Sequence, residues 1–224
     1  MGQLKEAIEV KNVLDFYDIK NFVETGTGIA EVVQAVYDVD SNLNIHTIEV
    51  VQEIYDQNKI RFSYLKKVNW HLGESAEVLS EVVPTLEGNT LFWLDAHFPG
   101  ADIGLTSYGD EKDMDKRLPL NKELETIVAG RDVSNDVFVI DDLRIYEDGP
   151  FETGNWNERS KYGGDGIEFI EKLFENTHYV GRSYNAQGFV ILFPVTKEMG
   201  DNLLVGSPES VSYTHLTLPT ILLV

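Results

Sequence analysis

Apolar positions along the chain fall into two alternating rhythms. Short, nearly continuous apolar runs occur at Asn21–Glu24, Asn44–Glu49, Val68–Leu72, Thr90–Asp95 and Val137–Asp141. They are strand-length, and TLFWLD at Thr90–Asp95 has the unbroken character of a strand buried on both faces. Between them the apolar residues are spaced for helices. Ile29, Val32, Val33 and Val36 share one helical face within Ile29–Val36. Further helices are predicted over Val51–Phe62, over Ala76–Val83, stopped by Pro84, over Pro119–Ala129, with Pro119 in the first turn, and over Gly166–Glu175. A leading amphipathic helix is expected over Gln3–Tyr17, and two last strands, His178–Tyr184 and Gly188–Phe193, flank Asn185-Ala186-Gln187 as a hairpin. Strands alternating with helices make a parallel sheet covered on both faces. The expectation is an α/β fold: a Rossmann-like, doubly wound, seven-stranded sheet, mostly parallel with an antiparallel closing strand.

Two connections are longer than such a fold requires, Ala96–Leu118 and Leu143–Asp165. Long loops at the ligand edge of a sheet often serve as lids. Phe98, Tyr108, Tyr146 and Trp156 lie in them, suited either to stacking on an acceptor or to pinning the loops. Beyond Leu203 the character of the chain changes. VSYTHLTLPTILLV is apolar, Thr-rich and free of acids, and it resembles translated sequencing-adaptor read-through. Residues 1–205 are therefore read as one domain and 206–224 as a non-native tail, from Val211 as read-through.

At 224 residues the chain suits one domain with a sizeable core. Its net charge of −20, with the 18 Lys and Arg scattered, argues against a nucleic-acid partner. No apolar run approaches the ~20 residues of a membrane span, and the first residues lack a signal peptide's apolar stretch. With no cysteine there is no disulfide framework. A cytoplasmic location is expected. Oligomeric state is not legible.

The candidate chemistry lies at the strand ends. KNFVETGTGIAE, Lys20–Glu31, reads as strand, glycine turn and helix start, the place where open α/β sheets take nucleotide-like ligands. An acid follows nearly every strand: Glu24, Glu49, Glu74, Asp95 and the pair Asp141-Asp142. In a parallel sheet these ends share one edge. Glu49 comes 21 residues after Gly28, the spacing at which a Rossmann-type site sets an acid on ribose hydroxyls. Glu74-Ser75 suits an adenine amine, and Ser75 equally suits a helix cap. Asp95, Asp141 and Asp142 would converge if their strands are neighbours, and three hard carboxylates fit Mg²⁺ or Mn²⁺. Alternatively Asp142 caps a turn and Asp95 positions a ligand. His97 is open to three roles: general base, further metal ligand or structural loop histidine.

FVETGTG, IHTIE, GES, FWLDAHF and VFVIDD, in that order, resemble the successive motifs of class I S-adenosylmethionine-dependent methyltransferases. The resemblance spans about Asn21–Phe193. Within the class, the acids of the fourth and fifth strands are similar to those of metal-dependent sugar and macrolide O-methyltransferases. The resemblance implies methyl transfer to a hydroxyl of a small molecule or carbohydrate. It implies that Glu24, Gly26 and Gly28, with Thr25 and Thr27 of the same turn, face the methionine part of the cofactor. Glu49 would bind the ribose, and Glu74 with Ser75 the adenine side. Asp95 would serve both cofactor and metal, with Asp141 and Asp142 completing the metal set and His97 and Asp95 carrying catalysis. This sequence departs in lacking a third glycine and in having Asp-Ala-His after the fourth strand. Two other readings share the glycine turn: a non-catalytic cofactor- or glycan-binding protein, and a nicotinamide-dependent dehydrogenase.

Overall fold

The computed structural model describes residues 4–101, 104–198, 202–205 and 211–214. Two short helices, α1 (Leu4–Ala7) and α2 (Val10–Phe16), lead into the alternation β1 (Ile19–Thr25), α3 (Glu31–Val39), β2 (Asn44–Glu49), α4 (Gln52–Arg61), β3 (Val68–Leu72), α5 (Ser75–Val82) and β4 (Asn89–Leu94). Then come α6 (Met114–Arg117), α7 (Leu120–Gly130), β5 (Val137–Ile140), α8 (Arg159–Tyr162), α9 (Glu168–Phe174), β6 (His178–Ser183), β7 (Phe189–Pro194) and β8 (Val211–Thr214).

The sheet order is β3-β2-β1-β4-β5-β7-β6-β8. The first five strands are parallel, and β7 enters antiparallel between β5 and β6. This is the expected seven-stranded sheet with its antiparallel closing strand. It differs from the all-parallel dinucleotide-binding order, which has no such inserted strand. An eighth strand, Val211–Thr214, pairs antiparallel with the outer side of β6. Residues 206–210 and 215–224 of the expected tail lie outside the described residues.

Alternation of side chains across the pleat divides the core into two layers. Val23, Phe92, Leu94, Phe138, Ile140 and Leu192 face α5, α7 and α9. Phe22, Leu91, Trp93, Val139, Ile191 and Phe193 face α2 and α3. A strand buried on both faces reads as a continuous apolar run, which is why β4 is legible as TLFWL.

Two features differ from the sequence reading. The leading helix is broken at Ile8-Glu9, because Ile8 pairs with Leu204 and the Glu9 N–H bonds the Leu203 carbonyl at 2.9 Å. The backbone that would continue the helix is used to tie the two ends of the domain together. The long connections also carry helical turns of their own, α6 and α8, too short for a periodic signal. Among the described residues no helix is long and apolar enough to cross a membrane.

Candidate active site

The ladder of the parallel strands continues past their ends and holds the terminal acids in register. Gly26 and Thr27 N–H groups bond the Ile48 carbonyl at 3.0 and 3.2 Å. The Gly73 N–H bonds Glu49 O at 2.9 Å, the Asp95 N–H bonds Thr25 O at 3.1 Å, and the Asp141 N–H bonds Leu94 O at 3.1 Å. All predicted site residues therefore lie along one edge, at the carboxyl ends of β1 to β5. Two cavities open there, side by side.

The first, of about 290 Å³, runs over the ends of β1, β2 and β3. Gly26, Gly28, Glu49, Glu74, Ser75 and Asp95 are in its wall. Gly26 has φ of +79°, and a Cβ there would stand 2.5 Å from the Asp95 carbonyl oxygen. Only glycine fits both the conformation and the close approach of two backbones. Glu49 is tied down from both sides: its Oε2 accepts from Gly28 N–H at 3.1 Å and its Oε1 from Val51 N–H at 2.9 Å. Burial raises its pKa and those amides pull it back. Glu74 ion-pairs at the rim with Lys116 of α6, and Ser75 opens α5 with no capping bond from Glu74's side chain.

Glu24 lies beneath this cavity, 1% exposed. Its Oε2 accepts from the Thr47 hydroxyl at 2.5 Å, and Thr47 Oγ1 lies 2.6 Å from Thr27 Oγ1. Burial pushes Glu24 up to about 8, against the Thr47 bond, with Glu49 adding repulsion. Thr25 and Thr27 are buried in the same turn.

The second cavity, of about 250 Å³, shares Asp95, His97 and Phe98 with the first and adds Asp141, Asp142 and Trp156. His97 sits between two carboxylates, Nδ1 3.4 Å from Asp95 Oδ1 and Nε2 3.0 Å from Asp142 Oδ2. Burial raises Asp95 well above the carboxylate range, Asp141 adds to the shift and His97 opposes it. Burial, and then Asp142, push Asp141 up to about 8. Asp142, in the wall of the second cavity, has φ of +54°, and Phe98, which borders both, has +43°, left-handed backbone that is uncommon in a bulky residue. The aromatics of the two long connections meet over this cavity. Phe98, Tyr108 and Trp156 make mutual edge-to-face contacts at 5.0–5.3 Å between centroids. Tyr146 is instead buried in the core.

Among the described residues no three acids or histidines are set as a ready cage for a metal ion. The donor chemistry does fit a hard cation. Asp141 Oδ2 is a buried carboxylate oxygen with no hydrogen-bond partner, beside a cavity that Asp141 and Asp142 line, while Asp142 Oδ1 faces Arg144 Nε at 3.6 Å, a contact a bound cation would replace.

Three residues here escaped the sequence reading. Thr47 holds Glu24, and Asn58 of α4 donates to the Gly28 carbonyl at 2.6 Å. Glu123 of α7 is 1% exposed and lies by Thr25 and Ser75. Glu123 had a signal: with Leu120, Leu124 and Ile127 it falls on the buried stripe of its helix, where a carboxylate is out of place. Asn58 had none, because α4 is polar around most of its surface.

No protein-family profile matches the chain, and no curated protein matches it. Solved structures do. An S-adenosylhomocysteine-bound methyltransferase from Podospora anserina is 16% identical, with a TM-score of 0.55 over 84% of this chain and 76% of that one. A candidate caffeoyl-CoA O-methyltransferase from Staphylococcus aureus is 16% identical, TM-score 0.54, over 83% and 80%. The O-methyltransferase TomG from Streptomyces achromogenes, in complex with S-adenosylmethionine, is 11% identical, TM-score 0.51, over 83% and 77%. The fold is thus the Rossmann-like fold of class I S-adenosylmethionine-dependent methyltransferases.

Proposed function

We propose that the chain is an S-adenosylmethionine-dependent O-methyltransferase acting on a small molecule or sugar, assisted by Mg²⁺ or Mn²⁺. The observation that carries the reading is the pair of cavities meeting at Asp95, His97 and Phe98. One has the glycine turn and ribose-type acid of a nucleotide site, and the other has carboxylates under an aromatic roof. Two small ligands placed in them would meet at their shared wall.

S-Adenosylmethionine, when bound, supplies its methyl group as an electrophile on a sulfonium. Gly26 and Gly28 let the backbone approach it without a side chain intervening. Glu49, already accepting two amides, keeps further lone pairs for ribose hydroxyls. Glu24 acts from below, through Thr47 and Thr27, as the support of the turn carrying Thr25 to Gly28. Ser75 is the adenine-side contact, and Glu74 reaches that side only by exchanging its Lys116 partner. Asp95 closes the wall shared with the acceptor.

In the second cavity Asp95, Asp141 and Asp142 would hold the divalent cation, whose charge, when bound, would lower the pKa of the acceptor hydroxyl and help to orient it. His97, held by Asp95 through Nδ1, takes the acceptor's proton at Nε2 on the Asp142 side. As the oxygen–methyl bond forms, the sulfur–methyl bond breaks and its electron pair stays on sulfur. Phe98, Tyr108 and Trp156 cover the acceptor and keep water out. The acidic surface fits an acceptor that is neither nucleic acid nor membrane, and a cytoplasmic setting.

Calorimetric titration with S-adenosylmethionine and with NAD, each with and without Mg²⁺ or Mn²⁺, tests the reading. A screen of sugar and phenolic acceptors for S-adenosylhomocysteine release follows. Binding of S-adenosylmethionine alone is expected, with metal-dependent turnover. Binding of NAD without S-adenosylmethionine sinks the proposal, and donor binding with metal-independent turnover sinks only its cation.

A further inference from the structure

Glu123 is a buried carboxyl that the mechanism above does not use. It lies in the first turn of α7, one residue after Lys122 and four after Pro119, both of which border the first cavity. Its own side chain is not part of the cavity wall but is buried in the septum behind it, at 1% exposure. Its polar neighbours are the hydroxyls of Ser75, in the cavity wall, and Thr25, at the end of β1; His97 also favours its ionised form, and Tyr146 feels its charge. Those two hydroxyls are close enough to favour the ionised carboxyl but stop short of well-formed hydrogen bonds, and Thr25 Oγ1 is buried with no other partner. No lysine or arginine is ion-paired with it among the described residues.

A carboxyl in this position is costly to the empty protein. Substituting a leucine there would extend the apolar stripe of Leu120, Leu124 and Ile127, so packing does not require the acid. What a negative charge in the septum can do is favour a positive group on the far side of the turn that begins at Thr25, the methionine side of the proposed donor site. Burial pushes Glu123 up to about 7, with the Ser75 and Thr25 hydroxyls opposing, so a nearby cation would draw its proton off. The start of α7 also favours the ionised form.

We infer that Glu123 is a positioning residue of the first cavity: it orients the Ser75 and Thr25 hydroxyls and makes the wall selective for a positively charged donor over its neutral product. This rests on the proposed methyl-donor reading, in which the ligand carries a sulfonium before transfer and a neutral thioether afterwards. The consequence is directional. The charge supports binding before the reaction and stops doing so once the methyl has left.

The test is equilibrium binding of S-adenosylmethionine and S-adenosylhomocysteine to the full chain and to its Glu123→Gln, Glu123→Asp and Ser75→Ala variants. Glu123→Gln keeps the shape and removes the charge. It should weaken S-adenosylmethionine about ten-fold while leaving S-adenosylhomocysteine within about two-fold. Glu123→Asp, which keeps the charge, should restore the preference. Ser75→Ala should weaken both ligands alike, by about two- to five-fold, since it removes a hydroxyl and no charge. Equal weakening of both ligands by Glu123→Gln overturns the inference, because a merely structural prop would do that. So does no change in either. If Glu123→Gln does not fold, Glu123→Asp with an unaltered ratio still supports the inference, and with a collapsed ratio overturns it. A wild-type chain that binds neither ligand overturns the donor reading itself. That result differs from binding both without a charge effect, which overturns only the role of Glu123.

Discussion

Strand β5 has a buried acid at each end, and the fold treats the two differently. Asp136, just before the strand, is 1% exposed and fully engaged. Its Oδ1 accepts from the Thr90 N–H at 2.8 Å, and Arg131 Nε lies 3.0 Å from its Oδ2. Burial pushes it up to about 6, and Arg131 opposes the rise. Asp141, just after the strand, is also buried, at 3%. Its Oδ1 accepts from the Asp142 N–H at 2.8 Å, but its Oδ2 has no partner, and its nearest charges include another acid. One end is closed and the other is open. At the amino edge of the sheet a buried charge must be neutralised by the chain itself, because nothing else will arrive. At the carboxyl edge it is left for a ligand, at a cost in stability of the empty protein.

The contrast can be broken in several ways. The largest effect is expected at the open end. His97 is the basic group between Asp95 and Asp142, and His97→Ala should lower kcat by about 100-fold or more while donor affinity changes little. Steady-state kinetics alongside calorimetry checks both halves, and an equal loss in affinity would make His97 a binding residue.

At the closed end, Arg131→Met removes one partner of a buried pair and leaves Asp136 uncompensated. A loss of about 3 kcal/mol in urea unfolding is expected, with no effect on donor binding. Asp141→Asn should do the opposite. The folded pKa of Asp141 is raised from 3.8 to about 8. The folded form therefore binds more protons than the unfolded chain between those values, and stability falls as pH rises through that window. The asparagine variant escapes that loss. In ligand-free, metal-free protein its melting temperature should match wild type near pH 4. It should exceed wild type by ~5 °C near pH 8, and on the proposed cation-assisted mechanism its turnover should be lost. A pH-independent difference would mean that Asp141 is compensated in a way its geometry does not show.

The smallest effect sharpens the role of burial. Lys116 and Glu74 carry the same chemistry as Arg131 and Asp136, but at the surface. Lys116→Ala should leave the unfolding midpoint unchanged. If it shifts the midpoint as Arg131→Met does, burial is not what separates the two kinds of pair.

Much of this edge was legible in the chain. The strands were readable because parallel strands buried on both faces must be apolar throughout, and VFVI and TLFWL admit few other structures. The acids after them stood out because a charge directly after such a run has only the sheet edge to occupy. Gly26 was readable as a turn, although the need for it, Asp95's backbone 2.5 Å from where a Cβ would be, is a contact 69 residues away. Thr47 and Glu123 were readable in principle as polar residues on buried faces. The broken leading helix was not, since its cause is Leu203 and Leu204 at the other end of the domain.

By itself the sequence determined the order of elements, the two-faced burial of the sheet and the acids at its strand ends. These are local consequences of hydrophobic period and of turn chemistry, and they need no knowledge of what packs where. The tertiary structure alone decided which acids are spent and which are free. Glu24 and Glu49 both follow a strand and look alike in sequence. Thr47 and two backbone amides engage them, and Asp142 is met by His97 and Arg144, whereas Asp141 keeps one buried oxygen without a partner beside a cavity that the residue lines. Whether a buried charge is compensated depends on partners brought from distant positions, and a single strand end carries no record of them.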